Sequence, residues 1–534
     1  MKYYVTFFLL CLVGVAQAVS LPDNVYFKAM QEEMNRTTKL LHVKGSAKPF
    51  YVVYRLAKQD GQLFSADMGQ PYVRMQEDPF SGVSMAVYMY AGNAKHNSSG
   101  YLDNYYGYRV LSGRGGDSYE ALRQNLWQLT DLEYIKASTL AEKKEAYKRQ
   151  KNLQQEPPDF SNAPTAFFVE EIVPFRHQDP AAYTQLVSEL SAQGKQVDYL
   201  EHYSVSVYLG QVERYFLDSK QNFYQFQVPV SEARFTAQLR NKDGYKQILY
   251  ASHPLPVEEA AIVPFIRKKA DEFLQQVQAQ RNTVKVEPYV GPVLFTPEAA
   301  GEFFNYLFVK NVRNNKPLLS AQQESDASAG LFKDKLNMRV ISPIFDVLDK
   351  PRLREYQGKQ LVGFMPVDAE GVLAEELHLV ENGKLKDLPT MRSLIPGQTH
   401  SNGHARSSQQ MPRSNVTNVF FEPSQTFSPE QLEQKLLQRC RELGLEYGYI
   451  FHSFPFIMAE RIYVTDGHKE QVYGIDLKGL TPRSLRDILA AGDDSDVTTI
   501  GNVAIVAPSI LVDEIEFVPS QQKPSRKPFV PLPK

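Results

Sequence analysis

The sequence predicts an α+β protein of more than one domain, with antiparallel sheet as its main scaffold. Three observations carry this. Residues 197–250 hold successive strand-like runs rich in Tyr, Phe and Val with no helix between them; such neighbouring strands favour an antiparallel sheet over βαβ units. Asn382-Gly383 separates two apolar runs, 373–380 and 384–388, the strongest hairpin signal in the chain. The helices are marked by caps: Asp179 then Pro180 at one start, Gly194 at its end. The 534 residues suffice for two to four domains with sizeable cores.

The remaining elements follow in chain order. Lys2, the apolar run 3–15 and Ala16-Gln17-Ala18 have the layout of a secretory signal peptide, 1–18. Cleavage there removes Cys11 and leaves Cys440 as the sole thiol, so no intrachain disulfide is expected. No later run approaches the ~20 apolar residues of a membrane span. The expectation is an exported protein, periplasmic or secreted, with no membrane anchor after cleavage.

Asp23 or Asn24 can cap a helix using Phe27, Met30, Met34 and Leu41. Strands at 50–56 and 63–68 flank Asp60-Gly61, read as a turn, and Val83, Met85, Val87 and Met89 alternate with period two. A long helix starts at Asp117 with Glu120 closing a capping box. Its Leu122, Leu126, Leu129 and Leu140 share a face, and 142–149 form a charged, solvated end. Prolines make 154–164 a connector. After the strands of 197–250, with a turn at Asp243-Gly244, comes an amphipathic helix through Ile262, Phe265, Ile266, Phe273, Leu274 and Val277. The main boundary is placed at 281–288, giving domains 19–285 and 286–520 and a proline-rich tail, 521–534.

The second half opens with a strand, 289–294, and a helix capped by Thr296 with Pro297 first. Polar loops are expected at 310–329 and 397–412, and a helix from Ser428 to about Leu443 stopped by Gly444.

Chemistry is harder to read. A formal charge of −2 excludes strong attraction to nucleic acid as a default mode. Gly113, Gly115 and Gly116 lack the spacing and Lys of a P-loop and read as a turn. No G-x-S-x-G and no H-E-x-x-H occurs. Cys440, mid-helix, reads as a structural thiol. His400 and His404 are weak metal candidates, better read as loop histidines with Asn402-Gly403 between them. Asp368, Glu370, Glu375 and Glu376 offer paired carboxylates, with a surface turn at 369–371 the favoured reading. Asn35, Asn97 and Asn415 stand in glycosylation sequons.

From Gly291 onward the chain resembles the TldD/PmbA family. The stretches that carry this are Gly291-Pro292-Val293-Leu294-Phe295, Val367-Asp368-Ala369-Glu370-Gly371 and Leu379-Val380-Glu381-Asn382-Gly383-Lys384-Leu385. Ser401-Asn402-Gly403-His404-Ala405-Arg406, Pro412-Arg413-Ser414-Asn415 and Ala507-Pro508-Ser509-Ile510-Leu511 extend it. The resemblance implies an N-terminal α/β domain and a larger C-terminal domain rich in antiparallel sheet, assembled as a homodimer or as a heterodimer with a TldD-like subunit. Active members carry zinc on an H-E-x-x-x-H helix, with a cysteine near the C-terminus as third ligand. Aligned on that helix, the ligand positions here hold Phe304 and Val309, the base position holds Asn305, and no Cys follows Arg441. Neither hydrocarbon side chain can coordinate zinc, nor can a neutral amide act as base. The resemblance therefore implies a non-catalytic member without zinc that pairs with a TldD-type metallopeptidase or binds peptides, with His404, Arg413 and Asn415 as peptide-binding candidates. Two alternatives stay open: a metallopeptidase with a displaced site, and a structural envelope protein on the same scaffold.

Overall fold

The computed structural model describes residues 20–41, 43–72, 81–102, 111–153, 157–242, 244–320, 330–407, 411–454 and 458–521. Residues 1–18, which include Cys11 and are expected to form a signal peptide, lie outside them, as do Asp243, residues 321–329 and 408–410 of the two polar loops, and the tail beyond 521.

A nine-stranded sheet organises the first half. We number its main strands β1 (Pro49–Asp67), β2 (Gly82–Ala91), β3 (Leu111–Gly115), β4 (Leu200–Asp218), β5 (Phe223–Pro229), β6 (Glu232–Arg240) and β7 (Lys246–Pro254). Their order is β7-β6-β4-β1-β2-β3, with β5 also on β4. All these pairings are antiparallel, and the short run Phe167–Val169 lies parallel on β5.

The expected turn at Asp60-Gly61 is instead the middle of β1, a single 19-residue strand. Gly61 faces Gly210 of β4 in register. A Cβ on Gly61 would lie 2.6 Å from the Leu209 carbonyl oxygen and 2.7 Å from the Tyr208 hydroxyl. The glycine is there for close approach of two backbones, not for a turn. Gly61→Val should therefore lower stability by about 1–3 kcal/mol, measurable as a shift of the urea midpoint at unchanged slope.

Helix α1 (Val25–Leu40) is capped by Asn24, whose Oδ1 accepts from the Tyr26 and Phe27 amides. It buries Phe27, Met30 and Met34 against Val52, Tyr54 and Leu56 of β1 and Val83, Met85 and Val87 of β2. Helix α2 (Tyr119–Gln150) adds Leu122 and Leu126 to this layer. Its cap is Ser118, one residue later than expected, accepting from the Ala121 amide. That shift leaves Glu120 out of the box position, and Gly113 and Gly115 belong to β3, with Gly116 just beyond its end. The charged end is not wholly solvated either, because Lys144 is buried. Helices α3 (Pro180–Ala192) and α4 (Glu259–Ala279) cover another stretch of sheet through Leu186, Leu190, Ile266 and Phe273, packed with Phe64, Val205 and Phe235.

Among the described residues the second half holds two larger sheets, of eight and six strands, besides short strand pairs. In the eight-stranded one, β8 (Tyr289–Phe295) lies parallel to Tyr447–Phe451 and antiparallel to Ile510–Pro519. The six-stranded sheet contains the hairpin Leu377–Glu381 with Lys384–Leu385, turned by Asn382 and Gly383, both at positive φ. Helix α5 (Pro297–Phe304) follows β8 and runs into a wider turn, Asn305–Val309. Thr296 precedes α5, but its side chain makes no capping bond. Helix α6 (Pro429–Glu442) has a full capping box between Ser428 and Gln431, and Gly444 beyond it sits at φ 70°. Among the described residues no helix is long and apolar enough to cross a membrane.

Candidate functional site

A cleft of about 800 Å³ opens between the two halves, within the range of ligand sites. One wall is β7, the last strand of its sheet. It pairs with β6 alone among the described strands, and its outer edge has no strand partner among them. Ile248 and Tyr250 stand exposed on this strand. The facing wall contains α5, which presents Glu298 and Glu302 one turn apart, and the strand Asp496–Ile500. Gly301 lets α5 approach that strand, since a Cβ there would meet Thr498 Oγ1 at 2.4 Å.

Burial and the neighbouring Glu298 push the Glu302 carboxyl up to about 7, against the pull of Lys310. Glu298, exposed at the cleft, is raised as well, chiefly because surrounding protein displaces part of its water. His253 on β7 moves the other way, to about 4, through burial and the nearby Lys269 and Lys359, so its imidazole is neutral at physiological pH. Lys269 pairs with Glu272 at 2.8 Å and Lys359 with Asp496. Glu298 and Glu302 form no ion pair within 4.0 Å among the described residues. The cleft thus offers an open strand edge, apolar side chains and two carboxyl groups able to receive a cation.

None of this was legible locally: β7, α5 and Asp496–Ile500 are far apart in sequence. The residues singled out from sequence lie elsewhere. Phe304 is buried and stacks on Phe421 with ring centroids 3.8 Å apart, and Val309 joins the same core. Asn305 is half-buried. The exposed positions on this stretch are one residue further on: Tyr306, edge-on to Phe454 of the cleft wall, and Lys310, over the Tyr306 ring. No imidazole or thiolate stands in either frame, so the residues present do not fit zinc. Among the described residues no three His, Cys, Asp or Glu side chains are grouped as a metal site requires.

His404 is fully buried, its Nδ1 2.9 Å from the Asn402 carbonyl and its Nε2 3.2 Å from Asp349 Oδ2, while His400 is exposed. The polar loop expected at 397–412 is buried through 401–406, tied down by the strand pair Ala405–Arg406 and Arg413–Ser414. Arg413 is half-buried beside a small cavity with Lys136 and Lys316, and Asn415 donates its amide to the His404 carbonyl. None of the three peptide candidates lines the large cleft.

The 369–371 turn exists, but inside the protein rather than on its surface. Asp368 accepts from the amides of Glu370, Val372 and Ala405. Glu370 accepts from the Tyr90 hydroxyl at 3.0 Å and the Arg392 amide at 2.8 Å. Tyr51 and Tyr88 donate to the carbonyls of Glu370 and Ala369. Burial and Asp368 push Glu370 up to about 7. Glu375 and Glu376 point to solvent. Cys440 is buried, its thiol pushed up to about 11 by burial, as suits a structural role. Of the sequons, Asn97 is buried, with Nδ2 donating to the Asn93 carbonyl, and Asn35 is exposed.

Residues 288–518 match the PmbA/TldA metallopeptidase C-terminal domain. Similar solved structures include TldE from Thermococcus kodakarensis, with a TM-score of 0.60 and 14% identity over 92% of this chain and 100% of that one. A protein from Thermotoga maritima described as a candidate DNA gyrase modulator gives 0.59, also at 14% identity, with the same coverage. One from Bacteroides thetaiotaomicron with a like description gives 0.56 at 14% identity, covering 92% of this chain and 98% of that one. No curated protein matches the chain by sequence.

Proposed function

Because this chain belongs to the TldD/PmbA family, we propose that it is an exported, metal-free member that holds extended peptides in the cleft and pairs with a TldD-type metallopeptidase subunit. The observation that carries the peptide reading is the edge of β7 along one wall, which has no second strand partner among the described residues. An extended chain laid beside it gains main-chain hydrogen bonds regardless of its sequence. Metal-free status is supported by the side chains at the helix: Phe304 and Val309 face the core, and Asn305, Tyr306 and Lys310 beside them supply no zinc donor set. Glu302 supplies charge preference. Near neutrality it exchanges a proton, and a peptide cation placed against it favours the ionised form.

Elemental analysis of the purified chain tests the metal reading: no stoichiometric zinc is expected, and zinc with chelator-sensitive proteolysis overturns it. Fluorescence anisotropy with a labelled, lysine-bearing extended peptide tests the cleft. Between pH 6 and pH 8 the ionised fraction of a group titrating at about 7 rises from about a tenth to about nine tenths. Affinity should therefore increase up to about tenfold over that range, and Glu302→Gln should flatten the dependence.

A further inference from the structure

We infer that Arg55, Arg214 and Arg406, with the Tyr224 hydroxyl, form a binding site for a small tetrahedral oxyanion of the phosphate or sulfate type, set between the two halves of the chain. None of the four residues lines the large cleft, so the site stands apart from the peptide reading.

Strand register gathers the first three. Arg55 of β1 lies opposite Phe216 of β4, and Phe216 lies opposite Tyr224 of β5. Arg214 is two residues from Phe216 on the same strand. Residues directly opposite, or two apart along a strand, share one face of a sheet. Arg55, Arg214 and Tyr224 therefore stand on the face of the aromatic layer that holds Tyr88, Phe216 and Phe226. The second half covers this face with Phe364 and Val367 and adds Arg406 from the short strand Ala405–Arg406. Arg55 Nη1 donates to the carbonyl of Ser407, the next residue, at 3.1 Å. All three guanidinium charges act on the Tyr224 hydroxyl, which marks the point where they converge.

Donors at this point lack acceptors. Arg214 forms no side-chain hydrogen bond and no ion pair among the described residues, and its Nε is closed off from solvent. Arg406 is only 9% exposed. Its Nη groups reach Met365 Sδ and the carbonyls of Gly363 and Asn502, all uncharged, and its Nε has no partner. Tyr224 is only 8% exposed, and its hydroxyl makes no hydrogen bond among the described residues. Buried donors are normally satisfied, so an acceptor belongs among these three groups.

The charge balance calls for that acceptor to be an anion. Burial pushes the Arg406 guanidinium down to about 10, against the pull of Asp349 and helped by repulsion from Arg214. Arg214 is lowered by burial and by Arg55. The nearest carboxylates have other partners: Asp368 holds the amides of Glu370, Val372 and Ala405, and Asp349 holds Thr417 and the Asn418 amide. Clustered interior cations are costly unless a counter-charge joins them. A planar carboxylate is satisfied by one guanidinium fork. Guanidinium groups arriving from both sides of the interface, with a hydroxyl beside them, suit the four oxygens and double charge of a tetrahedral ion. The low exposure of Tyr224 and Arg406 favours a free ion over a phosphoryl group on a larger molecule.

Calorimetric titration of the full-length protein with inorganic phosphate, in phosphate-free buffer at fixed ionic strength, tests this. One saturable site per chain is expected. Arg214→Gln should weaken binding about tenfold or more, and Tyr224→Phe about fivefold, the loss of one neutral donor. Arg176→Gln, at a side chain 84% exposed, should leave it unchanged. Phosphate should raise the melting temperature of the unaltered protein and not that of Arg214→Gln, which should melt no lower than the unaltered protein when phosphate is absent. Acetate and phosphoserine should each bind about tenfold more weakly than phosphate, or less. No saturable binding, or equal binding by the unaltered protein, Arg214→Gln and Tyr224→Phe, overturns the proposal. Acetate equal to phosphate overturns the tetrahedral class, and phosphoserine tighter than phosphate overturns the free ion as its source.

Discussion

Replacing Lys144 by methionine should remove about 3–5 kcal/mol of stability, the cost of breaking a buried ion pair from one side. The Lys144 ammonium donates to Asp159 Oδ2 at 2.7 Å and to the carbonyls of Asn97 and Ser99 at 3.0 and 2.6 Å. Both partners of the pair are buried, at 3% and 2% side-chain exposure. Asp159 keeps Lys316, at 3.0 Å, but the two carbonyls lose their donor inside the protein, and unsatisfied buried acceptors are costly. Because Lys316 comes from the second half of the chain, loss of Lys144 also loosens a tie between the halves. Equilibrium unfolding in urea reads the change, and a double replacement with Asp159→Asn should recover part of it, as coupled partners do.

The second large effect depends on pH. Glu370 titrates at about 7 in the folded protein against an ordinary value of 4.5, because burial and Asp368 disfavour its charge. With the folded value the higher one, the folded state holds a proton that the unfolded state has released between pH 4.5 and 7. Stability contributed by this group is complete below pH 4.5 and is lost as pH rises through 7. Glu370→Gln removes the charge and keeps one acceptor oxygen for the Arg392 amide, while its NH2 can donate to the Tyr90 hydroxyl, which reverses its role and accepts. At pH 8 the variant should be more stable than the unaltered protein by about 1–3 kcal/mol. The gain should shrink to nothing, or reverse slightly, at pH 5. Melting temperatures at the two pH values decide it.

Local signals served well where structure is local. The Asn382-Gly383 turn, the Ser428 cap with Gly444 beyond the helix, and the Asp179-Pro180 start all appear as read. Each depends on the backbone preferences of a few adjacent residues. Asp60-Gly61 misled because a glycine demanded by Gly210, distant in sequence, looks the same as one demanded by a turn. The 369–371 turn was correct as a turn and wrong as a surface, because Tyr51, Tyr88 and Tyr90 cover it from the opposite half of the chain. The α+β class followed from strand succession, but the cleft needs β7, α5 and Asp496–Ile500 side by side, and no periodicity encodes that meeting.

The two 19-residue strands β1 and β4 bear on how the first half comes apart. Val52, Tyr54 and Leu56 of β1 belong to the layer under α1 and α2, Tyr51 and Val53 to the aromatic layer on the other face, and Phe64 and Ala66 to the layer under α3 and α4. Tyr215, Phe216 and Val205 of β4 are shared out among the same three. No layer can dissolve without exposing residues of a ribbon that the other two require. These layers should behave as one foldon, with a single calorimetric endotherm where separate melting would give several.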